Sequence, residues 1–334
     1  MQKILVIQTA FIGDVVLATS ILEELHAALP DAQIDFMVRK GNEGLLNGHP
    51  YLHKVWIWNK QKNKLGNLRK MIRSVRKEKF DIVVNVQRFM ATGLITAFSG
   101  ARMKIGYNKN PLSFLFTKKV PHIISTQEHP VHEIDRCHEL VKDITGKSHA
   151  FKPKLYPTQA DYEKVKPYKN GPYLCIAPAS VWFTKQYPVT QWAAFLIRMP
   201  TNLNAYLLGS PADQRLCDEI IRIAPGVKVE NLAGKLSLLQ SAALQQDARM
   251  NYVNDSAPMH FASAVNAPVT AVYCSTIPSF GFGPVSDKSF IVEVQEPLDC
   301  RPCGLHGKRA CPLGHFHCAK WIRDEQLLET LTKK

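Results

Sequence analysis

Four short stretches carry residues whose types and spacing could do chemistry. In TAFIGDVVLA a lone carboxylate, Asp14, follows Gly13 where a short apolar run meets a long apolar segment. In PASVWFTKQYP, Ser180, Thr184 and Lys185 offer two hydroxyls and one ammonium. In VNDSAPMHFASA, Asp255, Ser256, Ala257 and His260 surround Pro258, which suits a helix start because its missing N–H costs nothing there. Near the end Cys300, Cys303, Cys311 and Cys318 form C-x2-C-x7-C-x6-C, with His306, His315 and His317 interleaved.

The chemistry follows from the side chains. Asp14 has two roles open to it, as a cap for the helix it opens and as a base that takes a proton at the end of a strand. Ser180, Thr184 and Lys185 fall in a strand-to-helix connection that suits a pyrophosphate, the alternative being an ordinary loop with a solvated lysine. The Asp255–His260 turn places a hydroxyl at a helix mouth, where backbone amides can hold phosphate. His260, one turn in, suits a phosphate, a ribose or a structural role. The two turns should line one edge of a sheet and receive a nucleoside diphosphate, with Asp14 facing them across a cleft. The terminal cysteines have three readings: a structural zinc or iron site, disulfides or a redox-labile cluster, and reduced packing residues.

The elements that must position these groups show in the periodicity. Apolar runs KILVIQ, QIDFMV, KVWIWN and DIVVNV alternate with helical segments at Val15–Leu29, Leu65–Lys79 and Phe89–Phe98. Such runs, separated by helices, indicate parallel strands buried on both faces. After a Lys-, Pro- and Tyr-rich stretch the alternation restarts with YLCIAPA, NAYLLGS, VKVENLA, RMNYVND and PVTAVYC, with helices Val189–Met199, Ala212–Ile223, Leu236–Asp247 and Ala257–Val265 between them. The expectation is α/β architecture in two Rossmann-like doubly wound domains: 1–155, a linker at 156–172, and 173–318 with the cysteine cluster. A last helix, Lys320–Leu331 within 319–334, is expected to pack back on the first domain.

Composition narrows the classes. With 334 residues, 46% hydrophobic and 21% charged, the chain is long enough for two folded domains. The apolar run Ile4–Ile7 is too short for a signal segment and no run nears the roughly 20 residues that span a bilayer, so a cytoplasmic location is expected. Neither G-x-G-x-x-G nor G-x-x-x-x-G-K-[ST] is present, which argues against a dinucleotide enzyme and a P-loop NTPase. The net charge of +14 attracts anionic partners, and its concentration in Lys60–Lys64 and in Arg69, Lys70, Arg73, Arg76, Lys77 and Lys79 assigns such a partner to the first domain. A basic nucleic-acid-binding protein with a metal knuckle would share that charge, but it leaves both phosphate-type turns without a role.

KILVIQTAFIGDVVLATSILEEL, PASVWFTKQYP, VNDSAPMHFASAV and CRPCGLHGKRACPLGHFHC together resemble the lipopolysaccharide heptosyltransferases, ADP-heptose transferases of the GT-B fold, over nearly the whole chain. The resemblance implies an N-terminal domain with Gly13 and Asp14 on the side of a phosphorylated, lipid-linked lipid A–Kdo or inner-core saccharide acceptor. It implies a C-terminal domain that binds the ADP-sugar through Ser180, Thr184, Lys185, Asp213, Asp255, Ser256, Ala257 and His260. Asp14 becomes general base and Lys185 the cation on the leaving diphosphate, in a single displacement that inverts the anomeric centre and requires no metal. Ala257 stands where the family often has glycine, which leaves room for a GT-B transferase with another nucleotide sugar, acting on surface polysaccharide or protein. Work at the inner face of the cytoplasmic membrane, without nucleic acid, completes the expectation.

Overall fold

The computed structural model describes residues 1–61 and 63–333; Lys62, part of the basic Lys60–Lys64 run, lies outside the described residues. The chain divides into two compact units, Met1–Ser125 with Val131–Tyr156, and Thr126–Pro130 with Pro157–Lys334.

In the first unit the described strands are β1 (Lys3–Ile7), β2 (Gln33–Arg39), β3 (Leu52–Trp58), β4 (Ile82–Asn85), β5 (Met103–Tyr107) and β6 (Lys118–Val120), all parallel in the order β3-β2-β1-β4-β5-β6. Helices α1 (Ile12–Ala28), α2 (Lys64–Glu78), α3 (Met90–Ala97) and α4 (Glu133–Thr145) connect or cover them. The central runs ILVI and IVVN are wholly buried, as strands covered on both faces must be. The outer strands β3 and β6 carry Lys54, Lys118 and Lys119, which tolerate solvent and discourage edge pairing.

Helix α1 is buried all round from Val15 to Leu25, so its two carboxylates need partners indoors. Glu24 meets His138 Nδ1 at 2.9 Å and accepts from the Thr145 hydroxyl at 2.5 Å. Glu23 accepts from the Tyr156 hydroxyl at 2.9 Å on both oxygens, with His49 at 3.8 Å. Helix α2 turns Leu68 and Val75 inward, while Arg69, Lys70, Arg73, Arg76 and Lys77 are exposed.

The second unit repeats the design. Its described strands are β7 (Tyr173–Ala177), β8 (Asn204–Leu207), β9 (Val229–Asn231), β10 (Met250–Asn254), β11 (Val269–Tyr273) and β12 (Ser289–Glu293). They are parallel in the order β12-β11-β10-β7-β8-β9, the same winding as the first sheet. Helix α5 (Gln159–Val165), which occupies the stretch expected as linker, belongs to this unit, and Val165 packs into its core. Helices α6 (Val189–Arg198), α7 (Gln214–Ile223), α8 (Leu238–Gln246) and α9 (Ala257–Ala264) follow their strands.

The C-terminal segment forms a short helix α10 (His317–Lys320) and α11 (Asp324–Thr332), and α11 packs on α6 and β12 within the second unit. Leu327 and Leu331 enter the second unit's core, and the Leu327 carbonyl accepts from the Tyr252 hydroxyl at 3.0 Å. No helix among the described residues is long and apolar enough to cross a membrane.

Candidate active site

In a sheet wound 3-2-1-4-5-6, the connections leaving the first and fourth strands diverge and open a crevice at their carboxyl ends, where ligands bind. Every turn singled out from the sequence follows such a strand, except Asp213, which follows the next strand over.

In the first unit the turn after β1 runs straight into α1. The helix begins at Ile12, so Asp14 is its third residue rather than its cap, and the carboxylate accepts from the Phe11 N–H at 3.1 Å. Gly13 is the residue before it, half-buried in the same first turn. A polar network braces this turn against the residues after β4: the Thr9 hydroxyl donates to Gln87 Oε1 at 2.6 Å, and Gln87 Nε2 donates to Gln8 Oε1 at 2.9 Å. Lys60 Nζ donates to the Thr9 carbonyl at 3.0 Å and to its hydroxyl at 2.6 Å. Burial, reinforced by the Arg39 guanidinium, lowers the Lys60 pKa to about 8.

Helix α4 supplies charges at this turn that the sequence reading did not assign. Glu133 is paired with Arg136, whose Nε donates at 2.6 Å; burial raises the Glu133 pKa, Arg136 opposes the rise, and nearby Asp14 adds to it. His122 is lowered by burial and then by Arg136 and Arg88. Asp14 therefore sits among both signs of charge. A helix signal in EIDRCHELVKDIT was present, but nothing local ties it to residue 14.

In the second unit the turns after β7 and β10 meet. Lys185 Nζ lies 2.6 Å from Asp255 Oδ2, and the two side chains are only 14% and 10% exposed. The Thr276 hydroxyl donates to the same Asp255 oxygen at 2.7 Å. Asn254, fully buried at the end of β10, holds both ends of the PASVWFTKQYP loop: its Nδ2 donates to the Pro178 carbonyl at 2.7 Å and its Oδ1 accepts from the Tyr187 N–H at 3.0 Å. Ser180 is half-buried, and its carbonyl accepts from Gln186 Nε2 at 2.7 Å. Thr184 is buried, its hydroxyl engaged by Ser275 and by the Lys308 N–H.

Ser256 is the N-cap of α9 but makes no side-chain cap bond; Ala257 and Pro258 form the first turn and His260 is buried one turn in. A helix start of this kind presents backbone amides to an anion. Asp213 closes the turn after β8, where its Oδ2 accepts from the Ser210 N–H and hydroxyl, each at 2.7 Å.

The cysteine segment lies against this edge. All eight cysteines are free thiols. Cys300, Cys303 and Cys311 line a cavity of about 570 Å³ with Lys308, while Cys318 is buried. Burial, then the neighbouring thiols, raises Cys303 and pushes Cys318 up to about 12. By donor chemistry four cysteine thiolates would suit zinc or iron. Among the described residues, however, no group of three or more His, Cys, Asp or Glu side chains is arranged as metal ligands. His315 and His317 stack at 4.0 Å, and His317 stacks on Trp321.

The two parallel doubly wound units have the α/β architecture of the GT-B fold. The sequence model of glycosyltransferase family 9 (heptosyltransferase) matches residues 68–313, and the chain belongs to that family. It is 25% identical to lipopolysaccharide heptosyltransferase 3 of Escherichia coli over 281 residues, 80% of this chain and 82% of that one. Two solved structures share the fold across 99% of this chain. The E. coli ADP-heptose lps heptosyltransferase II matches with TM-score 0.80 and 22% identity over 97% of its length, and the E. coli heptosyltransferase WaaC with ADP matches with TM-score 0.75 and 18% identity over its full length.

Proposed function

We propose that this glycosyltransferase transfers heptose from ADP-heptose to a phosphorylated, lipid-linked inner-core saccharide of lipopolysaccharide, with inversion at the anomeric carbon. The observation that carries the reading is the Lys185–Asp255 pair beside the start of α9, at the carboxyl edge of the second sheet, in a chain of family 9. The similar E. coli protein is named lipopolysaccharide heptosyltransferase 3, and one fold neighbour is described with ADP.

In this scheme an acceptor hydroxyl attacks the anomeric carbon, Asp14 takes its proton, and the bond to the diphosphate breaks with ADP leaving. Lys185 and the α9 amides receive the charge that develops on the diphosphate. Ser180, Ser256, Ala257 and His260 complete the donor site, with Asp213 toward the nucleoside. The basic residues of the first unit meet the acceptor phosphates at the inner membrane surface. The reaction itself uses no metal; a zinc or iron at Cys300, Cys303, Cys311 and Cys318 would be structural.

A thermal-shift panel of ADP, UDP, GDP and CMP tests the donor. Stabilisation by ADP alone supports the reading, whereas a shift with UDP or GDP transfers the proposal to another nucleotide sugar. Asp14→Ala is expected to abolish transfer and keep ADP binding; full activity in that variant removes Asp14 as base.

A further inference from the structure

The loop that carries the cysteines is sewn onto the donor edge at two places. Thr184, 1% exposed, commits its backbone and side-chain oxygen to it and to the end of β11. Its N–H donates to the Lys308 carbonyl at 3.1 Å, and its hydroxyl oxygen accepts from the Lys308 N–H at 2.7 Å and the Ser275 hydroxyl at 2.9 Å. Its carbonyl accepts from the Ser275 N–H at 3.2 Å, and the Ser275 carbonyl in turn accepts from the Cys303 N–H at 2.9 Å.

Gly307, at φ +74°, shows how close this packing is. A Cβ there would stand 3.1 Å from both Lys185 Cγ and Thr184 Oγ1, so the loop backbone lies directly on the stem of the lysine. At the second place Arg301 donates to the carbonyls of Cys274 and Thr276 at 2.7 and 2.8 Å. Thr276 is the residue whose hydroxyl holds Asp255.

We infer that residues 300–308 act as a clasp that fixes the Lys185–Asp255 pair, with Thr184 as a positioning residue that acts through Lys185 without touching the donor. The inference rests on the reading of Lys185 as a ligand of the donor diphosphate. It links the state of the cysteine loop to nucleotide affinity through backbone contacts, with no ligand group contributed by the loop itself.

The test compares Thr184→Val, which keeps shape and loses the hydroxyl, with Thr184→Ser, which restores it. Thr184→Val removes the acceptor of two buried hydrogen bonds, from the Lys308 N–H and the Ser275 hydroxyl, and loss of even one is worth roughly tenfold in an equilibrium constant. Thr184→Val should weaken ADP binding and raise the donor KM by about that factor, leave the acceptor KM unchanged, and speed amide exchange at Cys303 and Lys308; Thr184→Ser should reverse all three. Gly307→Ala serves as a second variant and should weaken ADP binding with the same split.

Parental exchange at Cys303 and Lys308 in Thr184→Val would overturn the clasp, because that readout needs no nucleotide. Parental ADP affinity in both variants, with exchange accelerated, would overturn its link to the donor site. If the parent protein prefers another nucleotide, the donor reading fails on its own, and the same comparison with that nucleotide still decides the clasp.

Discussion

Lys185 and Asp255, distant in sequence, meet at 2.6 Å across the point where the second sheet reverses its winding. The cation assigned to the diphosphate is thus already neutralised and held by a carboxylate, which in turn is held by Thr276. Such a pair fixes the lysine at the strand edge, where the proposed function places the donor diphosphate.

The pair should therefore matter to stability as well as to catalysis. Lys185→Met leaves Asp255 largely buried without its cation, at a cost of roughly 2–4 kcal/mol. Asp255→Asn keeps an acceptor for Thr276 and should cost less. Urea unfolding curves measure both; a Lys185→Met curve that superimposes on the parent's would show that the pair is not structural.

Asp14 offers a cleaner separation of its two roles. Asparagine retains an oxygen for the Phe11 N–H but cannot serve as a base. Asp14→Asn should lower stability by no more than about 1 kcal/mol, the size of a cap or helix-dipole contribution. Its transfer rate should fall by at least roughly 10². A variant that loses stability in proportion to its rate would leave Asp14 only a structural role in the first turn of α1.

Lys60 should make acceptor recognition depend on pH. Its ammonium is charged below about 8 and neutral above, against an ordinary value of 10.5. If it attracts acceptor phosphates, the acceptor KM should rise between pH 7 and 9, and Lys60→Met should flatten that rise. An unchanged profile in Lys60→Met would assign the dependence elsewhere.

His49 predicts an acid weakness of the first unit. Burial lowers its pKa from 6.5 to about 4, with a further push from His26, so the unfolded chain binds a proton there that the folded chain refuses. The stability held by the neutral ring is complete above pH 6.5 and lost as pH falls toward 4, by about 3 kcal/mol. Raised Glu23, at 3.8 Å, works in the opposite sense. The parent minus His49→Phe stability difference should therefore shrink as pH falls from 6.5 to 4; a constant difference would refute the assignment.

The cysteine knuckle is open to direct assay. Elemental analysis of protein purified without chelator should find about one equivalent of zinc or iron if the four thiols close on a structural ion. Metal well below that level would leave them as packing thiols of the clasp.

Much of this architecture was legible because the central strands are buried on both faces. ILVI, IVVN, YLCIA and VTAVY read as strands without help from any neighbour. The strands that sequence reading missed, MKIGY, KKV and SFIVE, carry lysine, glycine or glutamate, and what makes them strands is the ladder they join. Helix starts were displaced for a related reason: α1 begins at Ile12, before the glycine and aspartate that resemble a boundary, because the turn is braced by Gln8, Thr9 and Lys60.

By itself the sequence determined that two doubly wound domains exist and that Asp14, Lys185 and Asp255 stand in turns at the ends of their strands. Local periodicity and residue type suffice for this. Only the tertiary structure decided that Lys185 and Asp255 are partners, that Thr184 looks into the protein, that Glu133 of α4 comes near Asp14, and that the cysteine loop lies on the stem of Lys185. These are contacts between segments far apart in the chain, and their energies arise only when the sheets bring the strand ends together.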